Sequence, residues 1–398
     1  MRLASVALLG VALGFGATAG CSNDGLLADN NPSNRIDSGF FRIDSGADVG
    51  PRPDARPIEV PDANVTPDAE PLARCDCPTL PTSCPALTPN VPAFSPGGAL
   101  TQQIVDMIAC SGDYLHIGMY ETDWDCIVSA LVDKLAADTD LRVEIVIDDD
   151  QCPLDSGGTR LCALGRLHGH PRVAIVDDAR TRYMHHKFMI ADGRTMWIGS
   201  ANFTRVSFCT ELNDGIIIDD PSVISGFEAE FSRLHVRREF GPRPSDGPLT
   251  SGRYSVYFGP VTPISAPSPW FDDMIGAIDT ASTSIAVMTA AWTRTEISAA
   301  LLRASGRGVS VKALVPIQYQ DEPPAQALVA AHLPVRLAKV HHKLLIIDRQ
   351  LVITGSPNWS ENSWANNEAS VWIRDPMIAA AYASRFDAAF AAGADPPP

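Results

Sequence analysis

The sequence predicts an α/β protein built from two duplicated halves, and three observations lead there. The run "MHHKFMIADGRTMWIGSANFT" at 184–204 returns as "VHHKLLIIDRQLVITGSPNWS" at 340–360, with a His, a Lys, an Asp, a Gly-Ser pair and an Asn at the same spacing. Ahead of each copy, residues 99–150 and 268–318 read alike, as helix, buried strand, helix, buried strand. Strands that alternate with helices imply a mostly parallel or mixed sheet with helices on both faces.

The elements follow in the same order along each half. "YLHIGMY" (114–120) pairs with "SIAVMTA" (284–290), and "RVEIVI" (142–147) with "VSVKALV" (309–315); these short apolar runs are predicted strands. "CIVSALVDKLAA" (126–137) and "EISAALLRA" (296–304) space their apolar residues by three and four, which predicts helices. One short strand then leads into each His-Lys run. The seam falls in the Gly- and Pro-rich "FGPRPSDGPLTSGRY" (240–254), giving halves at 92–245 and 246–398. The first half is longer by an insertion around "DDDQCPLDSGGTRLCALGRLHGH" (148–170), where two cysteines lie. It is expected to form a loop on the rim of the site, stapled by a disulfide.

The chain outside these halves points to export. Arg2 precedes the apolar, Ala- and Gly-rich run "LASVALLGVALGFGATAG", so residues 1–20 read as a signal peptide. The alternative is a transmembrane anchor, since the run is just long enough to span; small residues before Cys21 favour cleavage. "TAGC" (18–21) resembles a bacterial lipobox, which implies lipidation of Cys21 and, through Ser22, outer-membrane sorting. Thr18 departs from the Leu usual in that motif, and the alternative is a secreted soluble protein. Residues 21–91 are rich in Pro, Asp, Asn, Gly and Ser and write "RIDSG" twice, at 35–39 and 42–46. Too little apolar surface is present to offset ordering entropy, so a disordered tether is expected, with a reach of roughly 45–50 Å.

Cysteines and charge narrow the class. Setting Cys21 aside, eight of the nine cysteines remain, all before residue 210. In an oxidising compartment an even number suggests disulfides, with roughly a hundred connectivities open. A zinc reading of "CDC" (75–77) lacks a partner pair at finger spacing. Net charge is −16, of which residues 77–398 carry −11. A chain living by contacts to a phosphate backbone usually carries the opposite sign, so a nucleic acid substrate is disfavoured.

The repeated run carries the chemistry. On a strand, residues two apart face the same way, so His185 with Lys187, and His341 with Lys343, form two matched pairs. His186 and His342 face the other way and are expected to be buried or to support the site. Four residues separate each Lys from Asp192 or Asp348, which lie in a turn before the next strand. That strand ends in Gly-Ser-x-Asn, bringing Ser200 and Asn202, or Ser356 and Asn358, to one spot. One copy alone reads as a strand-turn-strand unit with a satisfied core histidine. Six fixed residues recurring at fixed spacing match by chance at about 10⁻⁸ per start site.

H-x-K-x4-D-x6-G-S-x-N resembles the phospholipase D superfamily, and the likeness extends over residues 95–395. It implies two α/β sandwich halves packed about a pseudo-twofold axis, each giving one motif to a single site. Cleaving a phosphodiester in line needs a nucleophile on one side and an acid on the other. Imidazole serves both near neutral pH, while the lysines, asparagines and serines offer donors to the non-bridging oxygens. By the resemblance, His185 forms a phosphohistidine, His341 protonates the leaving group, and Glu368 accepts from a motif histidine and sets its tautomer. Asn213 aligns with Glu368 in the first half, with Glu211 two residues earlier as a further candidate. Asp192 and Asp348 are expected to orient the turn.

Other candidates take plainer readings. Asp148, Asp149 and Asp150 read as a solvated strand end in preference to magnesium ligands, and "HGH" (168–170) as loop. Phe203 and Trp359 are expected to pack beneath the site. No cofactor is expected, no metal is required if lysines supply the cations, and a monomer is expected. The leading function is a phospholipase D-like hydrolase or transphosphatidylase acting on phospholipid, anchored to a membrane at its N-terminus. Alternatives are an exported metal-independent nuclease, since "GSxN[FW][ST]" also resembles the small bacterial nucleases of the superfamily, a cardiolipin synthase-like transferase, and a non-catalytic surface lipoprotein.

Overall fold

A computed structural model describes residues 75–397; the signal peptide, Cys21 and most of the expected tether lie outside the described residues. The first half runs β1 (Pro92–Phe94), α1 (Ala99–Cys110), β2 (Tyr114–Met119), α2 (Asp125–Ala137), β3 (Arg142–Ile147), β4 (Val173–Asp177), β5 (Lys187–Ala191), β6 (Thr195–Gly199), α3 (Arg205–Cys209), β7 (Asp214–Ile218) and α4 (Pro221–His235). The second runs β8 (Leu249–Ser251), β9 (Tyr254–Phe258), α5 (Pro269–Thr280), β10 (Ser284–Thr289), α6 (Thr295–Gly306), β11 (Ser310–Pro316), α7 (Pro323–Ala330), β12 (Val335–Ala338), β13 (Lys343–Ile347), β14 (Leu351–Gly355), β15 (Ala369–Arg374) and α8 (Pro376–Ala392).

The duplication is visible in the strand order. One sheet reads β4-β3-β2-β5-β6-β7-β1 and the other β12-β11-β10-β13-β14-β15-β9-β8, position for position the same until the last strand. Within each, three parallel strands join an antiparallel meander at β2–β5 or β10–β13, where Met119 stands opposite Lys187 and Thr289 opposite Lys343.

Alternation along the strands builds three cores. Phe188 and Ile190 of β5 meet Leu344 and Ile346 of β13 in a core shared by the two sheets and by α4 and α8. Met189 and Trp197 face the other way, onto α1 and α2; Leu345 and Trp372 do the same onto α5 and α6. The shared core fixes the halves against each other, because shifting a strand by one residue would turn its apolar set away from it. α4 and α8 enter this core with the same start: Asp220 and Asp375 accept the first backbone N–H groups, and a Pro follows in the first turn.

Residues 75–91 depart from the expected tether. Cys75–Cys209, Cys77–Cys126 and Cys84–Cys110 stitch this segment to the first half. The order comes from covalent links, which a reading of apolar content does not register. A fourth bond, Cys152–Cys162, closes the insertion as anticipated.

The turns that follow β5 and β13 hold their aspartates with positive φ, 53° at Asp192 and 54° at Asp348. Asp192 accepts the backbone N–H groups of Gly112, Asp113 and Tyr114 at 2.8–2.9 Å. Asp348 accepts from the backbone of Ser282, Thr283 and Ser284 and from the hydroxyls of Ser282 and Thr283. Both therefore orient the loop that starts the central strand. Burial alone would raise the Asp348 carboxyl, but these backbone bonds outweigh it and hold the group well below its ordinary 3.8. A depressed folded-state value adds stability above 3.8 that is lost as pH falls below it. Asp348→Ala is expected to lower unfolding free energy by about 2–3 kcal/mol at neutral pH, with the gap to wild type closing in acid; denaturant titrations at several pH values measure this.

Candidate active site

Each motif enters the site through a hydrogen bond to the other half. The His185 N–H donates to the Asn367 carbonyl at 3.0 Å, and the His341 N–H to the Leu212 carbonyl at 2.9 Å. The side chains cross in the same way. His185 Nδ1 lies 2.8 and 2.9 Å from the two Glu368 oxygens, and His341 Nδ1 lies 2.8 Å from Asn213 Oδ1. A carboxylate or amide oxygen can only accept, so both rings carry hydrogen on Nδ1, which puts the lone pair of a neutral ring on Nε2. The partners differ in charge: one ring faces a buried carboxylate, the other a neutral amide.

The remaining motif groups gather around the rings. Lys187 Nζ donates to the His185 carbonyl at 3.1 Å. Lys343 Nζ lies 3.1 Å from the His341 carbonyl and 3.2 Å from its Nε2. Asn202 donates to Glu121 Oε2 at 3.4 Å. Tyr120 presents its ring 4.8 Å from that of His185, at 68°, and lies 5.1 Å from the Lys187 ammonium.

The second histidine of each pair turns into the shared core. His186 Nε2 donates to Glu230, which also takes Arg233 and Arg243. His342 Nδ1 donates to Asp214 at 2.7 Å, and Asp214 accepts from Ser200, Thr354 and Tyr382 as well. Burial pushes both imidazoles below their ordinary value despite the carboxylates. Burial would raise the two carboxyls, but hydrogen bonds from the histidines and their neighbours outweigh it, so both stay charged.

A sequence family described as "Cardiolipin synthase, PLD-like domain" matches residues 104–235 and 274–390, together more than half of the chain. The chain belongs to the phospholipase D-like family. It is 26% identical over 175 residues to the mitochondrial cardiolipin hydrolase of Xenopus laevis, covering 44% of this chain and 72% of that protein. It is 32% identical over 106 residues to the mitochondrial cardiolipin hydrolase of Xenopus tropicalis, covering 27% of this chain and 47% of that relative, so it spans about half of the relative's length. Phosphatidylserine synthase from Haemophilus influenzae Rd KW20 superposes with a TM-score of 0.59 at 12% identity, over 77% of this chain and 87% of that one. That likeness concerns the fold alone.

Several residues of this phospholipase D-like chain sit differently from the sequence expectation. The Ser200 hydroxyl lies 2.9 Å from both Asn213 Oδ1 and Asp214 Oδ1 and accepts the Asp214 N–H, so it braces the amide behind His341 instead of facing a phosphate. Ser356 Oγ accepts the Ala369 N–H. Glu211 touches the Ser207 hydroxyl, and it is Asn213 that reaches a motif histidine. Phe203 and Trp359 are buried, as anticipated.

The strand end at Asp148–Asp150 is not solvated at its first residue. Asp148 is 1% exposed, because the chain ahead of His185 crosses it: its Oδ2 accepts the Met184 N–H. Asp178, at 6% exposure, accepts the Asp149 N–H through Oδ1, while its Oδ2 has no hydrogen-bond partner. Among the described residues no group of three or more His, Cys, Asp or Glu is arranged to hold a metal ion. Tyr120, Glu121, Asp178 and Glu230 were absent from the expected site. For Tyr120 and Glu121 a signal existed, since they align with the two alanines of "TAAW" (289–292).

Burial, then the charge of Asp148, pushes Asp178 up to about 9; burial pushes Asp148 up to about 7. A carboxyl raised in the folded state contributes stability fully below its unfolded value of 3.8, and that contribution is lost as pH rises towards about 9. Asp178→Asn keeps the acceptor oxygen and removes the titration. The variant is expected to match wild type in melting temperature near pH 4 and to exceed it progressively on the alkaline side, which a pH series of thermal melts tests.

Proposed function

We propose that the chain is a phosphodiesterase of the phospholipase D type that removes phospholipid head groups through a phosphohistidine. The observation that carries this reading is the crossed and unequal pairing of the two imidazoles. Glu368 behind His185 balances the positive charge that grows on that ring as its Nε2 bonds phosphorus. Asn213 behind His341 holds the second ring without adding a charge that would retain its proton.

In the first step the lone pair of His185 Nε2 forms the P–N bond, and the bond from phosphorus to the head-group oxygen breaks. His341 passes its Nε2 proton to that oxygen, releasing an alcohol. In the second step water gives a proton to His341 and bonds phosphorus, the P–N bond breaks, and phosphatidic acid leaves. An acceptor alcohol in place of water would give transfer. A phosphate oxygen near Lys343 would compete with His341 Nε2 for the ammonium, leaving that nitrogen to carry the proton; Lys187, Asn202 and Asn358 supply further donors.

Phospholipid is favoured as substrate by the relatives named cardiolipin hydrolases and by the −11 charge of residues 77–398, which repels a polyanion. Four disulfides support an oxidising compartment. The lipid anchor at Cys21 completes the proposal on sequence grounds alone.

His185→Ala and His341→Ala are each expected to lower phospholipid hydrolysis by about 10³-fold or more. With a p-nitrophenyl diester, whose leaving group needs no proton, His341→Ala should recover the first-turnover release of p-nitrophenol, since His341 is then needed only to take the proton of water in the second step, and His185→Ala should not. Equal losses on both substrates would remove the division of roles. Plasmid nicking without lipid cleavage would replace the phospholipid by a nucleic acid.

A further inference from the structure

Identical backbone hydrogen bonds define which residues of the two halves correspond beside the site. The Tyr120 N–H donates to the His186 carbonyl at 2.9 Å, and the Ala290 N–H to that of His342 at 2.7 Å. The Glu121 carbonyl accepts from Phe203 at 3.0 Å, and the Ala291 carbonyl from Trp359 at 2.9 Å. The Tyr183 carbonyl accepts from Asn367, and the Lys339 carbonyl from Leu212, each at 2.8 Å. Tyr120, Glu121 and Tyr183 therefore stand where Ala290, Ala291 and Lys339 stand in the other half.

The two flanks of the site differ in room and in charge. Around His185, Tyr120 lies against the imidazole, Tyr183 packs 5.4 Å from Tyr120 and 6.5 Å from the histidine ring, and Glu121 holds Asn202. Around His341 the phenol ring of Tyr120 and the carboxylate of Glu121 are each replaced by a methyl group. Ala290 keeps 8% of its surface exposed where Tyr120 keeps 0%. Lys339 holds the backbone position of Tyr183, two residues before its motif histidine, and it is exposed. Passing from one flank to the other removes a negative charge and adds a positive one.

We propose that the leaving group binds on the His341 flank, over Ala290 and Ala291 and beside Lys339, and that this subsite takes a leaving alcohol bearing negative charge. The inference rests on His341 as the acid. In-line displacement asks the nucleophile's side to admit only the reacting phosphorus, whereas the acid's side must house a whole head group and later the water that replaces it. A phosphate-bearing head group there meets the Lys339 ammonium, while Glu121 repels it from the opposite flank.

The experiment uses the full chain and three lipids with one acyl composition: phosphatidylglycerol phosphate, phosphatidylcholine and phosphatidylethanol. Wild type is expected to prefer the first to the second. Lys339→Glu, a surface change that leaves the core intact, should cut kcat/KM for phosphatidylglycerol phosphate relative to phosphatidylcholine by at least tenfold. Ala290→Tyr should lower kcat/KM at least tenfold more for the two bulky head groups than for phosphatidylethanol. An unchanged ratio in Lys339→Glu overturns the charge assignment, and a leaving-group ratio that shifts in Tyr120→Ala instead of Ala290→Tyr moves the subsite to the other flank. If wild type cleaves no lipid but nicks plasmid DNA, the phospholipid reading fails on its own. The bulky anionic leaving strand then makes the same demand, and both variants must lower nicking tenfold or the flank falls too. A wild type inert on all four substrates overturns both.

Discussion

Glu368 takes the Nδ1 hydrogen of His185 with both oxygens, from the opposite half of the chain, and this crossed bond sets the position of the ring. A carboxylate at 1% exposure is stable only if something compensates its lost hydration, and an imidazole donor at 2.8 Å does so. Neither half can finish its own outer histidine. His185 needs Glu368, His341 needs Asn213, and the bridges Met184–Asn367 and Leu212–Val340 hold the strands at the spacing both bonds require. The duplication is therefore more than two copies of a motif side by side: each copy supplies the support of the other.

The inner histidines secure that arrangement from below. Asp214 binds His342, Thr354 and Tyr382, which belong to the other half, and Ser200, which belongs to its own. Glu230 binds His186, Arg233 and Arg243 within the first half. A buried charge with all its lone pairs used is a poor source of net stability but a strict selector of geometry, because displacing one partner strands the rest without water. Ser200 shows the linkage at one atom, since its Oγ contacts both Asn213, which supports His341, and Asp214, which supports His342. A shift of the inner network would thus be felt at the outer ring.

Much of this was legible in the sequence because the signals are local. Alternation in "KFMIA" and "KLLII" follows from pleated backbone, and the six-residue spacing follows from one strand, a turn and the next strand. Glu368 and Asn213 could be aligned as equivalent positions for the same reason. What the chain order hides is pairing at long range. Which histidine each of the two supports depends on the packing of the halves, and Ser200 changes its part once Asp214 lies beside it. Residues 75–91 have the composition of a tether and are ordered by three disulfides whose partners lie up to 134 residues away. Asp148 reads as a strand end and is buried by Met184, a residue 36 positions on.

A symmetric pair of motifs would face a difficulty that this chain avoids. Two histidines with identical surroundings compete for the same protonation state, whereas the proposed reaction would need one ring to offer a lone pair while the other offers a proton. Difference between the halves is then a requirement of the proposed chemistry. It is found at the hydrogen-bond partner, a carboxylate against an amide, and again at the flanks, where Tyr120 and Glu121 oppose Ala290 and Ala291. The strand order, the turn aspartates and the entry bonds at Asn367 and Leu212 have stayed alike. Backbone symmetry gives the two rings matching entry bonds, and the side chains around them break that symmetry, so one scaffold holds two imidazoles in unlike surroundings, as the proposed division into nucleophile and acid would require.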